Sequence, residues 1–240
     1  MASREITFAI ERFDPTTDAA PSVREYSIDI EEGATVLEAL LRLQAEQDGS
    51  LALRYACRGA VCGSCAMSIN GDVALACRTQ VLSLGGDTVS VGPLPNLPVL
   101  KDLVVDMEPF FGKDAAVDPW LEPYDDGPER ERLVSPDDWA EAEPYTNCIL
   151  CASCYGVCPV PERDEDYLGP AALAKHYRFL ADPRDAAGDA RLALVDSDRG
   201  VWGCDTVWRC VRVCPKGVPP TKGILTSRER IEQGGGARKE

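Results

Sequence analysis

The chain has 240 residues, 45% of them hydrophobic, and a formal net charge of −15. Such a chain fills one or two domains with cores of their own, and its apolar content excludes global disorder. The excess of acid argues against nucleic acid and against direct adsorption to anionic lipid.

From the N-terminus, Ile6, Phe8 and Ile10 alternate with polar neighbours, as do Tyr26, Ile28 and Ile30, and predict two half-buried strands. The leading segment alternates and carries charge, so it reads as a strand rather than a signal peptide. Thr35 and Glu38 form a capping box that opens a helix. Val36, Leu37, Leu40, Leu41 and Leu43 give that helix its apolar face, and Asp48-Gly49 ends it. After a cysteine-rich loop, Asn70-Gly71 predicts a tight hairpin between AMSI and VALAC, and TVSVGP supplies a late strand. The order suits a small mixed sheet holding one helix.

GPLPNLP, from Gly92 to Pro98, breaks the pattern and sets a domain boundary, giving domains 1–97 and 98–240. Helices are predicted beyond it at LKDLVVDMEPFF, after Ser135-Pro136, at GPAALAKHYRFLAD and at PPTKGILTSRERIEQ. Asp114 to Pro128 reads as an acidic surface loop, and the final GGGARKE as a fraying end. No stretch approaches the ~20 apolar residues that span a bilayer. From Trp208 to Glu240 there are eight Lys/Arg against three acids, while the rest holds 17 against 37. That basic end is either a solvated helix or a docking face towards a membrane-embedded partner.

Eleven cysteines is an odd number, so no disulfide scheme uses them all. Thiolates committed to metal in a reducing compartment explain the count better. Cys57, Cys62, Cys65 and Cys77 follow C-x4-C-x2-C with a distant fourth, the plant-type [2Fe-2S] pattern. Gly59 and Gly63 are expected to allow positive φ and the close approach of amides to sulfur. A zinc site is the alternative, although zinc favours paired short arms. Cys148, Cys151, Cys154 and Cys158 follow C-x2-C-x2-C-x3-C-P, the bacterial ferredoxin run whose fourth cysteine serves the other cluster. Cys204, Cys210 and Cys214 repeat the run with Val207 where its second cysteine would stand. Crossing the fourth ligands assigns Cys148, Cys151, Cys154 and Cys214 to a [4Fe-4S] cluster. Cys158, Cys204 and Cys210 then remain for a third site, and three thiolates beside an apolar residue favour [3Fe-4S]. A [4Fe-4S] cluster using Asp205 or a labile iron is the alternative there.

Taken together, CRGAVCGSCAMSINGDVALAC, CILCASCYGVCP, LGPAALAKHYRFLADPRD and GVWGCDTVWRCVRVCPKGVP resemble the iron–sulfur subunit of succinate dehydrogenase and quinol:fumarate reductase over nearly the whole chain. The resemblance implies an α+β protein: an N-terminal plant-type ferredoxin (β-grasp) domain, then an all-helical bacterial-ferredoxin-like domain. It implies an electron-transfer subunit relaying electrons between the covalent FAD of a flavoprotein partner and quinone at membrane anchor subunits. The chain would lie peripherally on the cytoplasmic face of the inner (plasma) membrane. Dicarboxylate chemistry would reside on the flavoprotein, leaving no catalytic residue here. The lone His176 reads as a surface or capping residue and cannot supply bis-His ligation, so any haem b would belong to a partner.

The quinone end departs from the pattern. Pro161, Glu162 and Arg163 stand where many succinate dehydrogenases carry an aromatic pair with a quinone-contacting Trp, and Asp205 stands where they often carry His. Pro159, Trp202 and Trp208 are the candidates for a quinone pocket, with packing as the plainer role of the two tryptophans. Two other functions fit parts of the pattern: the iron–sulfur subunit of a soluble fumarate reductase with a non-quinone donor, and a free multi-cluster ferredoxin. The former commonly brings Cys-Cys-Gly motifs, and no adjacent cysteine pair occurs here.

Overall fold

The computed structural model describes residues 3–124, 127 and 129–234. The predicted fraying end lies outside the described residues from Gly235 onward, as do Asp125, Asp126 and Pro128 of the predicted acidic loop. The chain divides into two compact units, one of Met1–Met107 with Ile149–Val157 and one of Glu108–Cys148 with Cys158–Glu240.

The first unit is built on a five-stranded mixed sheet. Its strands are β1 (Arg4–Arg12), β2 (Ser22–Ile30), β3 (Ala66–Ile69), β4 (Asp72–Leu75) and β5 (Thr88–Gly92), in the spatial order β2-β1-β5-β3-β4. β1 pairs antiparallel with β2 and parallel with β5, so Ile6, Phe8 and Ile10 point to one buried face with Ile28 and Ile30. α1 (Val36–Glu46) covers that face with Val36, Leu37, Leu40 and Leu43. Its predicted capping box is present: Glu38 N–H donates to Thr35 Oγ1 at 3.2 Å, and Thr35 N–H donates to Glu38 Oε2 at 2.8 Å. Asn70 (φ 50°) and Gly71 (φ 81°) form the predicted two-residue turn, both in the left-handed region a type I′ turn demands.

The helix predicted over Leu100–Phe111 is not formed as such. Its first half is a hairpin of β6 (Val99–Lys101) and β7 (Val104–Val105), and only its end enters α2 (Glu108–Ala115). The cause is Asp102, left-handed at φ 47° in the turn. Its buried carboxylate accepts from Arg12 Nε at 2.9 Å, Phe13 N–H at 3.1 Å and Ala52 N–H at 2.8 Å. A short polar side chain that collects two main-chain donors and a cation wins over helix propensity. Arg12 also donates to Asp48 Oδ2 at 2.6 Å, tying the end of β1 to the loop after α1.

The second unit is helical: α2, α3 (Pro136–Thr146), α5 (Val160–Arg163), α6 (Gly169–Leu180), α7 (Gly188–Val195), α8 (Arg209–Arg212) and α9 (Pro220–Glu232). The single turn α4 (Ser153–Gly156) belongs to the first unit. Ser135 caps α3 as predicted, its hydroxyl accepting from Asp138 N–H at 3.1 Å with Pro136 at the first helical position.

Two expectations are corrected in this unit. His176 is neither exposed nor a cap: it is fully buried in α6, its Nε2 3.0 Å from the Arg191 carbonyl and its Nδ1 without a partner. Desolvation holds its pKa down at about 4, because a second ring proton would find no acceptor. The acidic stretch from Asp114 is not simply a surface loop. Asp114 and Ala115 close α2, Val117 is buried, and the carbonyls of Asp118 and Trp120 accept from Arg191 at 2.9 and 2.6 Å. Arg191 pairs in turn with Asp185 at 2.6 Å, both side chains 2% exposed. Part of the basic end is likewise used internally. Arg228 donates to the Val201 and Cys204 carbonyls, and Arg230 to the Leu180 carbonyl and Glu141.

Candidate iron–sulfur sites

None of the eleven cysteines forms a disulfide. The loop between α1 and β3 carries Cys57, Cys62 and Cys65, and Cys77 follows β4. Hairpin pairing brings the two ends together: Ala76 N–H donates to the Cys65 carbonyl at 3.0 Å and Cys77 N–H to Cys65 Sγ at 3.5 Å. The loop folds its own amides onto the sulfurs. Val61 and Cys62 N–H donate to Cys57 Sγ at 3.2 Å, Gly59 N–H to the same sulfur at 3.4 Å, and Ala60 N–H to Cys77 Sγ at 3.3 Å. The left-handed residues that make this curl are Arg58, Ala60 and Gly63. Gly59 is not among them, which corrects the role expected for its positive φ; it contributes an amide.

The thiols of this loop differ in environment. Hydrogen bonds, first from the Cys57 amide and then from Ser64, lower Cys62 to about 6, whereas burial pushes Cys65 up to about 12. A metal bound here displaces the Cys65 proton, so loading is coupled to proton release.

Gly63 has a requirement beyond its φ of +75°. A Cβ there would stand 2.7 Å from Cys151 Cβ and 2.9 Å from Cys151 Cα, so only glycine lets the first loop touch the second cysteine run. Ile149 and Cys151 pack against the core of the sheet, and Asn96 Nδ2 donates to the Tyr155 carbonyl at 2.9 Å. The segment 149–157 is thereby fastened to the first unit.

The second and third runs share a backbone conformation that was not read from sequence. Leu150 and Ala152 are left-handed before the single turn α4, and Thr206 and Trp208 are left-handed before the single turn α8. In that register Cys204 stands on Cys148, Cys210 on Cys154, Cys214 on Cys158 and Val207 on Cys151. Non-glycine residues at φ near +60° at matched positions are uncommon enough to make the repeat specific. The signal was present in the matched cysteine spacing, but the αL positions carry Leu, Ala, Thr and Trp, which do not advertise it.

Of the four residues predicted for the middle site, Cys151 and Cys154 lie in the first unit, and Cys148 and Cys214 in the second. Cys148 and Cys214 border the core of Ala142, Tyr145, Ala174 and Tyr177. Cys158 and Cys204 border the core that contains Tyr167, Val160 and Val201, and Cys210 is within electrostatic reach of both. Burial, reinforced by the charges of Cys204 and Cys210, pushes the Cys158 thiol up to about 11.

Around this third set, Pro159 is half-buried at the start of α5, Trp202 is 37% exposed and Trp208 47% exposed. The Trp202 indole N–H donates to Asp196 Oδ1 at 2.6 Å, so only its ring is free to contact a ligand. Val207 is 49% exposed. Arg163 and Asp205, two of the positions that depart from the pattern of many succinate dehydrogenases, bind each other in a double hydrogen bond of 2.6 and 2.5 Å. Both Asp205 oxygens face a guanidinium.

Among the described residues, no three Cys, His, Asp or Glu side chains converge as one mononuclear ion requires. Thiolates of a cluster stand apart around an inorganic core, and cysteines outside disulfides with amides aimed at their sulfurs suit that arrangement.

A five-stranded mixed sheet with a curled cysteine loop, joined to helices bearing two ferredoxin-type runs, defines an iron–sulfur electron-transfer protein. Two family models match it: a 2Fe-2S iron-sulfur cluster binding domain over residues 7–112 and a 4Fe-4S dicluster domain over residues 144–218. The succinate dehydrogenase iron-sulfur subunit of Coxiella burnetii is 40% identical over 231 residues, covering 95% of this chain and 97% of that protein. The fumarate reductase iron-sulfur subunit of Mycobacterium tuberculosis is 38% identical over 222 residues, covering 91% and 90%. A chain of the Mycobacterium smegmatis Sdh1 complex in the apo form superposes with a TM-score of 0.88 at 29% identity, covering 97% of each chain. The chain belongs to the family of succinate dehydrogenase and fumarate reductase iron–sulfur subunits, and so is a subunit of an oxidoreductase.

Proposed function

We propose that this chain is the electron-transfer subunit of a membrane-attached succinate dehydrogenase/fumarate reductase, placed between the FAD of a flavoprotein partner and quinone at a membrane anchor. In this reading Cys57, Cys62, Cys65 and Cys77 hold [2Fe-2S], Cys148, Cys151, Cys154 and Cys214 hold [4Fe-4S], and Cys158, Cys204 and Cys210 hold [3Fe-4S]. Each cluster, when bound, supplies a one-electron carrier. The chain supplies the thiolates, the amides that stabilise charge on sulfur, and a packed surround that limits water.

The observation that carries the reading is the backbone repeat, in which Val207 takes the place of Cys151. An isopropyl group at a ligand position favours three irons over four. Engagement of Asp205 by Arg163 argues against the carboxylate as a substitute ligand. Among the described residues no helix is long and apolar enough to cross a membrane, so attachment would come through anchor subunits, on the cytoplasmic face. Pro159, Trp202 and Trp208 remain the quinone-contact candidates, and a haem b, where present, belongs to the anchor.

The test is purification of the native complex, with flavin, haem and low-temperature paramagnetic resonance analyses. A covalent-flavin subunit, an anchor and a [3Fe-4S] signal in the oxidised state are expected. Val207→Cys should convert that signal to a four-iron one of lower potential. A chain isolated alone and soluble sinks the membrane reading, and no effect of Val207→Cys sinks the ligand assignment.

A further inference from the structure

In the third set Cys204 Sγ accepts the Thr206 amide at 3.4 Å, and Cys210 Sγ meets a side-chain hydroxyl as well. Thr221 Oγ1 lies 3.1 Å from Cys210 Sγ, with both residues buried. Thr221 stands in the first turn of α9, directly after Pro219 and Pro220. Neither proline carries an amide hydrogen, so the Thr221 N–H is the first donor of the helix and would otherwise be orphaned. It too is directed at the Cys210 sulfur. A hydroxyl, an amide and the positive end of a 13-residue helix therefore converge on one sulfur. A thiolate has no proton to give, so the Thr221 hydroxyl donates.

We propose that Thr221 is a positioning residue that sets the reduction potential of the cluster at Cys158, Cys204 and Cys210, by donating a hydroxyl hydrogen bond to the Cys210 sulfur. The proposal rests on the three-iron reading above. Adding an electron increases negative charge on the sulfurs, and a charge-assisted hydrogen bond strengthens with that charge. In a buried site the gain is not diluted by water. The reduced form is favoured and the potential raised. The first unit has its own serine donors: Ser64 beside Cys62, and Ser153, whose hydroxyl lies 3.3 Å from Cys151 Sγ of the predicted middle site.

The experiment is a redox titration of the purified complex, following each cluster by its low-temperature paramagnetic signal. Thr221→Val keeps the branched shape and the amide but removes the hydroxyl. It should shift the third cluster's reduction equilibrium about tenfold towards the oxidised form, ~59 mV for a one-electron couple. The [2Fe-2S] potential should stay where it is. Thr221→Ala should shift the third cluster in the same direction, and Thr221→Ser should keep the wild-type value. An unchanged third potential in Thr221→Val overturns the proposal, as does a shift in Thr221→Ser equal to that in Thr221→Val. If Thr221→Val does not assemble, Thr221→Ala decides alone. A wild-type complex without a three-iron signal overturns the ligand reading instead, a result distinct from any shift.

Discussion

In the first unit the sulfurs of Cys57 and Cys77 are met by main-chain amides of the loop that curls over them, whereas in the second Cys204 Sγ accepts the Thr206 amide at 3.4 Å and Cys210 Sγ meets a side-chain hydroxyl, that of Thr221, at 3.1 Å. A loop can turn successive amides inward because it is free to adopt left-handed φ; helices spend their amides on their own ladder and have only first-turn groups and side chains to offer. The first loop therefore depends on backbone conformation, whereas Cys210 depends on the identity of a side chain as well. Side-chain changes on the first loop should be tolerated except where they alter its path, and a change that removes the Thr221 hydroxyl should not.

The largest expected effect is at a buried charge of the helical unit. Asp185→Ala removes the carboxylate facing Arg191, which then keeps only the Asp118 and Trp120 carbonyls. A loss of ~3–5 kcal/mol is expected from stranding that charge, read by urea unfolding followed by circular dichroism. The matching change in the first unit, Asp102→Ala, leaves Arg12 still paired with Asp48 at 2.6 Å and should cost less. The reverse order would show that the sheet unit, not the helical one, depends more on its buried pair.

Next comes the pair Gly63→Ala and Gly59→Ala, which separates path from proximity. At Gly63 a Cβ meets Cys151 at 2.7 Å on a left-handed backbone, while at Gly59 the nearest atom is 3.7 Å away on an ordinary one. We expect Gly63→Ala to cost ~2–4 kcal/mol and to deplete the [2Fe-2S] absorbance, with Gly59→Ala within ~0.5 kcal/mol of wild type. Equal effects would mean that the amides, rather than the approach to Cys151, limit the loop.

A smaller effect, dependent on pH, belongs to His176. Its folded pKa of about 4 lies below the ordinary 6.5, so the unfolded chain binds more protons between those values. The stability due to the neutral buried ring is full above about pH 6.5 and is lost as pH falls towards 4, with no further loss below. Between pH 7 and 5 wild type should lose ~2 kcal/mol more than His176→Gln, measured by tryptophan fluorescence. All four tryptophans lie in the helical unit, so the signal is local to it. Parallel pH profiles would refute the buried-neutral state.

The smallest effect is expected at the exposed pair Arg163–Asp205, whose side chains are 55% and 36% exposed. Arg163→Gln should leave stability close to that of wild type, because water screens the pair. A thermal melt showing a large drop would mean the pair is a structural clasp over the third set.

Much of the fold and of the site was legible in local pattern. Strand alternation in β1 and β2, the Thr35/Glu38 box, the Asn70-Gly71 turn and the Ser135 cap are short-range signals, and each formed as expected because its energetics close within a few residues. Cysteine spacing likewise registers local geometry, and it identified the family before any coordinates. Three things were decided only by tertiary contacts. Asp102 turned a predicted helix into a hairpin by binding Arg12 and two distant amides; His176 lost its surface role because α6 is buried on the side that carries it. The Thr221 hydroxyl reached the Cys210 sulfur because α9 packs back against α8. Spacing can propose the thiolates of each run, since those are close in sequence, but the groups that surround them come from wherever packing brings a donor, and no periodicity records that.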